Sequence, residues 1–292
     1  MEIILMKREY DKMKTAILTD STAYIPQELR DRWNIHMVPL SVTIGEETYR
    51  EEMDLSASDF YDMVRGAQEL PKTSQPSIGV VTNKLEELSV EYDAVVAITL
   101  SSGISGTYQA IASADDMVDS IDLHVFDSEI SCMVQGFYVL EAAEMADNGA
   151  MPEQIMARVN EMQSSIRAYF MVDDLSHLHR GGRLNGAQAL VGSLLQVKPV
   201  LHFVDKVIVP FEKIRTRKKA LKRVKGLFEE VAEKGQPMKA TIIHANREED
   251  AQEILDELQE KYPNVEFVLS YFGPVIGTHL GEGALGIGWF ER

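Results

Sequence analysis

Residues 94–100 read AVVAITL, a run without a charge that stands between Asp93 and the polar turn Ser101-Ser102-Gly103. A strand buried on both faces looks like this, because neither side of its pleat meets water, and such strands belong to parallel sheets covered by helices on both faces. The surrounding pattern agrees. Short β-rich runs alternate with helical patterns through the first half of the chain, the signature of βα units. Thr15–Leu18, His36–Ile44 and Leu123–Phe126 are expected strands, and Ser58–Arg65, Ile78–Tyr92, Gly106–Met117 and Cys132–Asp147 expected helices. Pro26 starts a further helix that Asp20-Ser21-Thr22 can cap. Residues 15–165 therefore read as an α/β domain, a doubly wound parallel sheet.

After Asn148-Gly149 a helix starts at Pro152, and beyond Ser165 the composition changes. Arg167–Val172 reads as a strand, Gly186–Leu195 as a helix with no charge at all, and Lys198–Phe211 as an extended pair. A basic helix from Thr216, a strand at Ala240–His244, a helix at Arg247–Tyr262 and a strand at Glu266–Phe272 follow. Residues 166–292 thus read as a C-terminal α+β domain, closed by a glycine-rich segment from Gly273 to Gly283. Residues 1–14, where only Ile3–Met6 is apolar, read as a short N-terminal extension with too little apolar length for a signal-peptide core.

Composition excludes several classes. The chain has 292 residues, is 45% hydrophobic, and holds 19 Gly and 10 Pro with no low-complexity stretch, which sets aside disordered and collagen-like chains. No apolar run approaches the roughly 18 residues of a membrane span, so stable membrane insertion is not expected. The single cysteine, Cys132, rules out an internal disulfide framework and a thiolate-rich metal site, and it fits a cytoplasmic location. A net charge of −17 would repel a nucleic-acid backbone. One window runs the other way: Asp205–Lys225 carries nine Lys and Arg against two acids. Such a run is either a solvated helix face or a docking patch for an acidic or phosphorylated partner.

Three hydroxyl-rich segments carry the chemistry: Asp20-Ser21-Thr22, Thr73-Ser74-Gln75-Pro76-Ser77, and Ser101 to Thr107 with four hydroxyls and two glycines. In an open parallel sheet the ligand crevice lies at the carboxyl ends of the strands, where the last segment falls. Helix N-termini there offer free amides and partial positive charge, which suits a small anion. Each cluster taken alone is also what an ordinary helix cap looks like. There is no phosphate loop and no G-x-G-x-x-G, so nucleotide binding by these motifs is unsupported, and no G-x-S-x-G elbow for a serine hydrolase. His177 and His179 have the wrong spacing for one helix face, and H-E-x-x-H is absent, so no metal is expected. His279 lies among Gly277, Gly281 and Gly283, which would leave its imidazole accessible. Arg180-Gly181-Gly182-Arg183 sets two guanidinium groups around a Gly-Gly turn, suited to a carboxylate or phosphate.

Read together, these segments resemble the DegV family of bacterial fatty-acid-binding proteins, which includes the binding subunit of the fatty acid kinase. The matching text is TDSTAYIP at 19–26, KTSQPS at 72–77, ITLSSGISGTYQ at 98–109, FDSEIS at 126–131, LSHLHRGGRL at 175–184, KPVL at 198–201 and GPVIGTHLGEGALGIGW at 273–289. The resemblance implies a two-domain protein with an apolar tunnel between the domains holding one long-chain fatty acid such as palmitate. It places the carboxylate near Thr73, Ser101, Ser102 and His279. It implies no cofactor and no nucleotide site, and a separate ATP-binding kinase partner that makes an acyl phosphate. Arg180, Arg183 and Arg217 are then candidate docking residues. Two departures stand out: the turn after KPVL has Asp205-Lys206 where the family usually has a glycine, and Glu282 replaces a common proline. Glu282 is expected to point outward. The rival reading is an enzyme related to dihydroxyacetone kinase subunits, with His279 holding a small carbonyl compound covalently.

Overall fold

The computed structural model of the protein describes residues 13–66, 69–185 and 198–292. The charge-free helix expected at Gly186–Leu195 lies outside the described residues, as does nearly all of the N-terminal extension. The chain opens with β1 (Thr15–Asp20), buried at every position, a single 3-10 turn capped by the Asp20 carboxylate on Thr22 N–H, α1 (Gln27–Arg32) and β2 (Ile35–Val38). The strand expected over His36–Ile44 is two strands in two different sheets. Pro39 has no N–H to donate to a ladder, and the chain leaves the parallel sheet there to form β3 (Ser41–Ile44) and its hairpin partner β4 (Glu47–Arg50). After α2 (Ala57–Val64), β5 (Lys72–Ser74) pairs with β3, completing a three-stranded antiparallel sheet in the order β4-β3-β5.

The chain then returns to the parallel sheet through α3 (Ile78–Leu88), β6 (Ala94–Thr99), α4 (Thr107–Ala112) and β7 (Asp122–Asp127), giving the strand order β2-β1-β6-β7, all parallel. Both faces of this sheet are covered. Ala16, Leu18, Val95 and Ala97 point to one side and pack against Val81 and Leu85 of α3 and Ile111 of α4. Ile17, Val96 and Ile98, one position out of phase, point to the other side and pack into the main core. The sheet is doubly wound.

The helix α5 (Cys132–Asp147) supplies that other side. Residues Cys132–Val139 are all buried, because the helix lies between the parallel sheet and the second sheet, and α6 (Pro152–Gln163) packs beside it. The second sheet is built from β8 (Arg167–Met171), then, after α7 (Ser176–Arg180), β9 (Val200–Val204) and β10 (Val207–Glu212), and, after α8 (Arg217–Ala232), β11 (Met238–His244). The remaining elements are α9 (Glu248–Lys261), β12 (Val265–Tyr271), α10 (Pro274–Leu280) and β13 (Leu285–Glu291). The order is β10-β9-β8-β13-β11-β12, with only β11 and β12 parallel. Phe228 of α8 stacks edge-on against Trp289 of β13 on the outer face, and α5 covers the inner face.

The glycine-rich segment Gly273–Gly283 is α10 and the turn after it, and the central strand β13 that follows carries two more glycines. Gly286 and Gly288 are in β13 for closeness of packing: a Cβ on Gly288 would lie 2.2 Å from Val134 Cγ2 of α5, and one on Gly286 would lie 2.8 Å from Phe170 Cβ. The turn lacking a glycine forms nonetheless. Asp205 and Lys206 both take left-handed conformations, φ 47° and 73°, as a two-residue hairpin requires. Contacts with the first domain offset the strain: Ser101 donates to the Lys206 carbonyl at 2.6 Å, and the Lys206 ammonium sits 2.9 Å from Asp127 and 3.5 Å from Glu129. A Cβ on Gly103 would lie 2.3 Å from that carbonyl oxygen.

Candidate functional site

A cavity of about 250 Å³ lies between the inner face of the second sheet, the N-terminal end of α5 and the segments that follow β5, β6 and β7. Its wall is apolar over most of its length, formed by Val134 of α5, Ala168–Phe170 of β8, Phe203 and Ile208 of the β9–β10 hairpin, Val275 and Ile276 of α10, and Ile287 of β13. Several polar groups interrupt this wall, and Thr73, His279 and Arg183 lie close together. Thr73, Ser74 and Gln75 come from β5 and the residue after it, Ser105 from the loop before α4, Arg183 from the segment after α7, and His279 from the last turn of α10. Among the described residues Arg183 is the one charged side chain in the cavity wall.

Thr73 Oγ1 and His279 Nε2 are 2.9 Å apart. The ring fits because Gly181 has no side chain: a Cβ there would lie 2.4 Å from His279 Nδ1. Nδ1 itself is buried with no partner among the described residues. Burial, with the Arg183 charge and His177 adding to it, pushes the His279 pKa down to about 4, so the imidazole is neutral at neutral pH. With the ring proton on Nε2, Thr73 Oγ1 accepts from the ring and its own hydrogen is free for a ligand oxygen. Arg183 donates from Nε to the Ile104 carbonyl at 3.2 Å and from Nη1 to the Gly181 carbonyl at 2.6 Å, which fixes the guanidinium plane beside the histidine.

Of the four expected head-group residues, the structure brings Thr73 and His279 together and leaves Ser101 and Ser102 off the cavity wall. Ser101 is occupied by the Lys206 carbonyl, and Ser102 donates to Asp127 at 2.5 Å on the outer side of the loop. The serine of that segment that lines the cavity is Ser105, whose hydroxyl lies 2.9 Å from that of Thr107. Sequence reasoning passed over it; its place directly before Gly106 and the start of α4 was the available signal. His279 is also not freely accessible, being on a helix and half-buried.

The three candidate docking arginines separate. Arg183 belongs to the cavity. Arg180 is exposed and, among the described residues, bonded only to Ser176 of its own helix. Arg217 is tied within the fold, to Asp173 at 2.9 Å, Asp250 at 3.3 Å and the Gly283 carbonyl, joining two loops and the first turn of α9. In the rest of the basic window Arg223 pairs with Glu212 and Glu230, and Lys225 with Glu257, whereas Lys219 and Lys222 have no carboxylate within reach among the described residues. Glu282 points outward, 2.8 Å from Asn246 and 3.3 Å from Arg65.

The segment Asp20-Ser21-Thr22 is wholly interior. Asp20 accepts from Thr22 N–H at 3.0 Å, Leu100 N–H at 2.7 Å and Gln135 at 3.1 Å, so it joins β1, β6 and α5. Ser21 leads to a residue that nothing in its local sequence singles out. Glu51, fully buried, accepts from the Ser21 hydroxyl at 2.6 Å, the Tyr24 hydroxyl at 2.8 Å and Val275 N–H at 2.7 Å.

Residues 14–292 match a family model described as "Uncharacterised protein, DegV family". Protein DegV of Bacillus subtilis is 62% identical over 278 residues, covering 95% of this chain and 99% of that protein. The chain belongs to the DegV family. The crystal structure of the Bacillus subtilis DegV, described as a fatty acid binding protein, superposes with a TM-score of 0.92 at 61% identity, covering 96% of this chain and 100% of that one. A DegV family protein from Thermus thermophilus, described by its fatty acid binding, gives a TM-score of 0.88 at 29% identity over 96% of this chain and all of its own. Within this DegV family chain, no helix among the described residues is long and apolar enough to cross a membrane.

Proposed function

We propose that this chain binds one long-chain fatty acid, with the acyl chain along the cavity and the carboxylate at Thr73, His279, Ser105 and Arg183. The observation that carries the reading is the cavity's make-up: a largely apolar wall in which the Thr73 hydroxyl, a neutral imidazole and one guanidinium lie together. Relatives described as fatty acid binding support it. Magnitudes divide the work. At about 0.8 kcal/mol per buried methylene, a chain of about 14 methylenes gains at most roughly 11 kcal/mol, against about 1.5–3 for each hydrogen bond to a charged head. The tail supplies affinity and the polar groups fix direction, since a ligand without the anion leaves buried donors unpaired.

In this reading Ser101 and Ser102 serve the hairpin turn and the Asp127 loop, and the head-group role passes to Ser105. The bound acid is presented to a separate ATP-binding kinase partner, which forms the acyl phosphate for phospholipid synthesis; the chain supplies no nucleotide site. Arg180, exposed at the end of α7 three residues before the cavity arginine, and the unpaired lysines of α8 are the docking candidates. Reversing the charge at Arg180 is expected to slow phosphorylation by the partner and leave fatty-acid binding intact. The rival use of His279 as a nucleophile finds no support in the geometry, because Nε2 is bonded to Thr73 and Nδ1 is buried against Gly181.

The experiment is solvent extraction of the purified protein followed by mass spectrometry, beside native intact mass. A stoichiometric fatty acid that leaves on denaturation is the expected result. A covalent mass increment that survives denaturation would replace this reading with the small-carbonyl enzyme.

A further inference from the structure

Glu51 follows β4, in a stretch of sequence crowded with acids, yet its side chain is completely buried. Among the described residues no cation lies within ion-pair reach of it. Its partners are the Ser21 and Tyr24 hydroxyls and, from the other domain, the backbone N–H of Val275. Tyr24 in turn accepts from Ile276 N–H at 3.3 Å. Val275 and Ile276 are in the first turn of α10, where N–H groups have no partner within the helix. The Glu51 carboxyl group takes one of these donors, and the Tyr24 hydroxyl, itself bonded to Glu51, takes the other.

The same helix is gripped along its length. Gly273 lies against the Tyr24 ring, where a Cβ would come within 2.3 Å, and Gly277 against Tyr61, where it would come within 2.5 Å of the hydroxyl. Tyr61 also donates to the Phe272 carbonyl at 2.7 Å. His279 is four residues after Val275, so it sits about 6 Å along the axis on the same side of the helix. Thr73, its partner, is on β5, and Glu51 extends β4; both strands flank β3 in one small sheet. One sheet therefore holds α10 at two points, by a carboxylate at its start and by a threonine hydroxyl at its end.

We propose that Glu51 is a positioning residue for the fatty-acid head group: it fixes α10 so that the His279 imidazole stays on Thr73. This rests on the reading of the cavity as a fatty-acid site. Glu51 touches no ligand; it acts through the helix. A residue that only stabilised the fold would weaken binding regardless of what stands at position 279, whereas a positioning residue loses its effect when the histidine is gone.

The test is a double-mutant cycle with hexadecanoate as the titrant, in the wild type, Glu51→Ala, His279→Ala and the double variant. Glu51→Ala is expected to weaken binding about 10-fold with His279 present and less than about 2-fold in the His279→Ala background. Glu51→Gln, which keeps an acceptor for Val275 and is the variant expected to fold in every case, is expected to lose about 3-fold with His279 present and nothing without it. Equal losses in both backgrounds, or a fall in thermal stability with binding untouched, would overturn the proposal. Imidazole nitrogen NMR of the ligand-free protein gives the independent reading: the His279 signals move in Glu51→Gln if the helix shifts, and stay if Glu51 does not position it. Should the wild type bind no hexadecanoate at all, the fatty-acid reading fails, while the NMR result still decides whether Glu51 sets the histidine.

Discussion

Thr73 and Ser101 look alike in the sequence. Each is a small hydroxyl residue beside a strand end, each has further hydroxyls within two positions, and each lies in a segment rich in Gly or Pro. The structure gives them opposite uses. Thr73 faces the cavity and, among the described residues, its hydroxyl meets His279 alone, so one of its hydrogen-bonding positions remains for a guest. Ser101 faces the second domain and is consumed by the Lys206 carbonyl, together with Ser102 on Asp127 and Ser21 on Glu51. A hydroxyl serves a ligand only where the protein has not already used it, and the side of the loop it emerges from decides which.

That division can be broken most forcefully at Gly181. A methyl group there collides with the His279 ring, so Gly181→Ala is expected to displace the imidazole from Thr73 and weaken fatty-acid binding about 100-fold by isothermal titration, the loss of more than one charge-assisted bond. An affinity within a few-fold of wild type would show that the histidine is not part of the head-group site.

A second test addresses the inward-facing set. Burial raises the Glu51 pKa to about 7, above its unfolded value near 4.5, so the folded protein takes up this proton first. Its stabilising contribution is therefore full below pH about 4.5 and lost as pH rises through about 7, with an amplitude of roughly 3 kcal/mol. His279 slopes the other way, since its folded pKa is lowered to about 4 and its contribution is lost as pH falls. The difference between wild type and Glu51→Gln in denaturant unfolding cancels the histidine. That difference should turn against the wild type as pH rises from about 5 to about 8. A flat difference would mean that Glu51 is already ionised in the folded protein at pH 5, with its pKa not raised by burial.

Smaller effects separate the two serines of one loop. Ser105→Ala is expected to weaken binding about 5- to 10-fold with little change in stability, by removal of one donor at the head. Ser101→Ala is expected to cost about 1 kcal/mol of stability, freeing the strained Asp205-Lys206 turn, with fatty-acid affinity held within about 2-fold. Reversal of these two outcomes would return the carboxylate to Ser101.

Much of the scaffold is legible in the residues, for physical reasons that also explain the failures. β6 and the first half of α5 declare themselves because burial on all sides leaves no room for charge, and the element bounds agree with Ala94–Thr99 and Cys132–Asp147. β13 is hidden because a strand that must approach α5 and Phe170 closely uses Gly286 and Gly288, and glycine reads as loop. β2 and β3 merge in the pattern because both are apolar, and only Pro39 marks the change of sheet. At the site, Thr73 and His279 could be named in advance, but side-chain direction within Ser101–Ser105 could not, since it follows from where the hairpin turn docks. Glu51 was out of reach altogether: one glutamate among Glu46, Glu47 and Glu52 looks like surface, and nothing local says that the chain will lay α10 across it.

The most direct measurement is the affinity of hexadecanoate for Thr73→Val against Ser101→Ala, each beside wild type and each with its unfolding curve. The expected result is a loss of about 10- to 30-fold for Thr73→Val at unchanged stability, and the converse for Ser101→Ala. Equal affinity in Thr73→Val and wild type, or a greater loss in Ser101→Ala, would contradict the assignment of the polar groups around Thr73 as the place where the carboxylate is held.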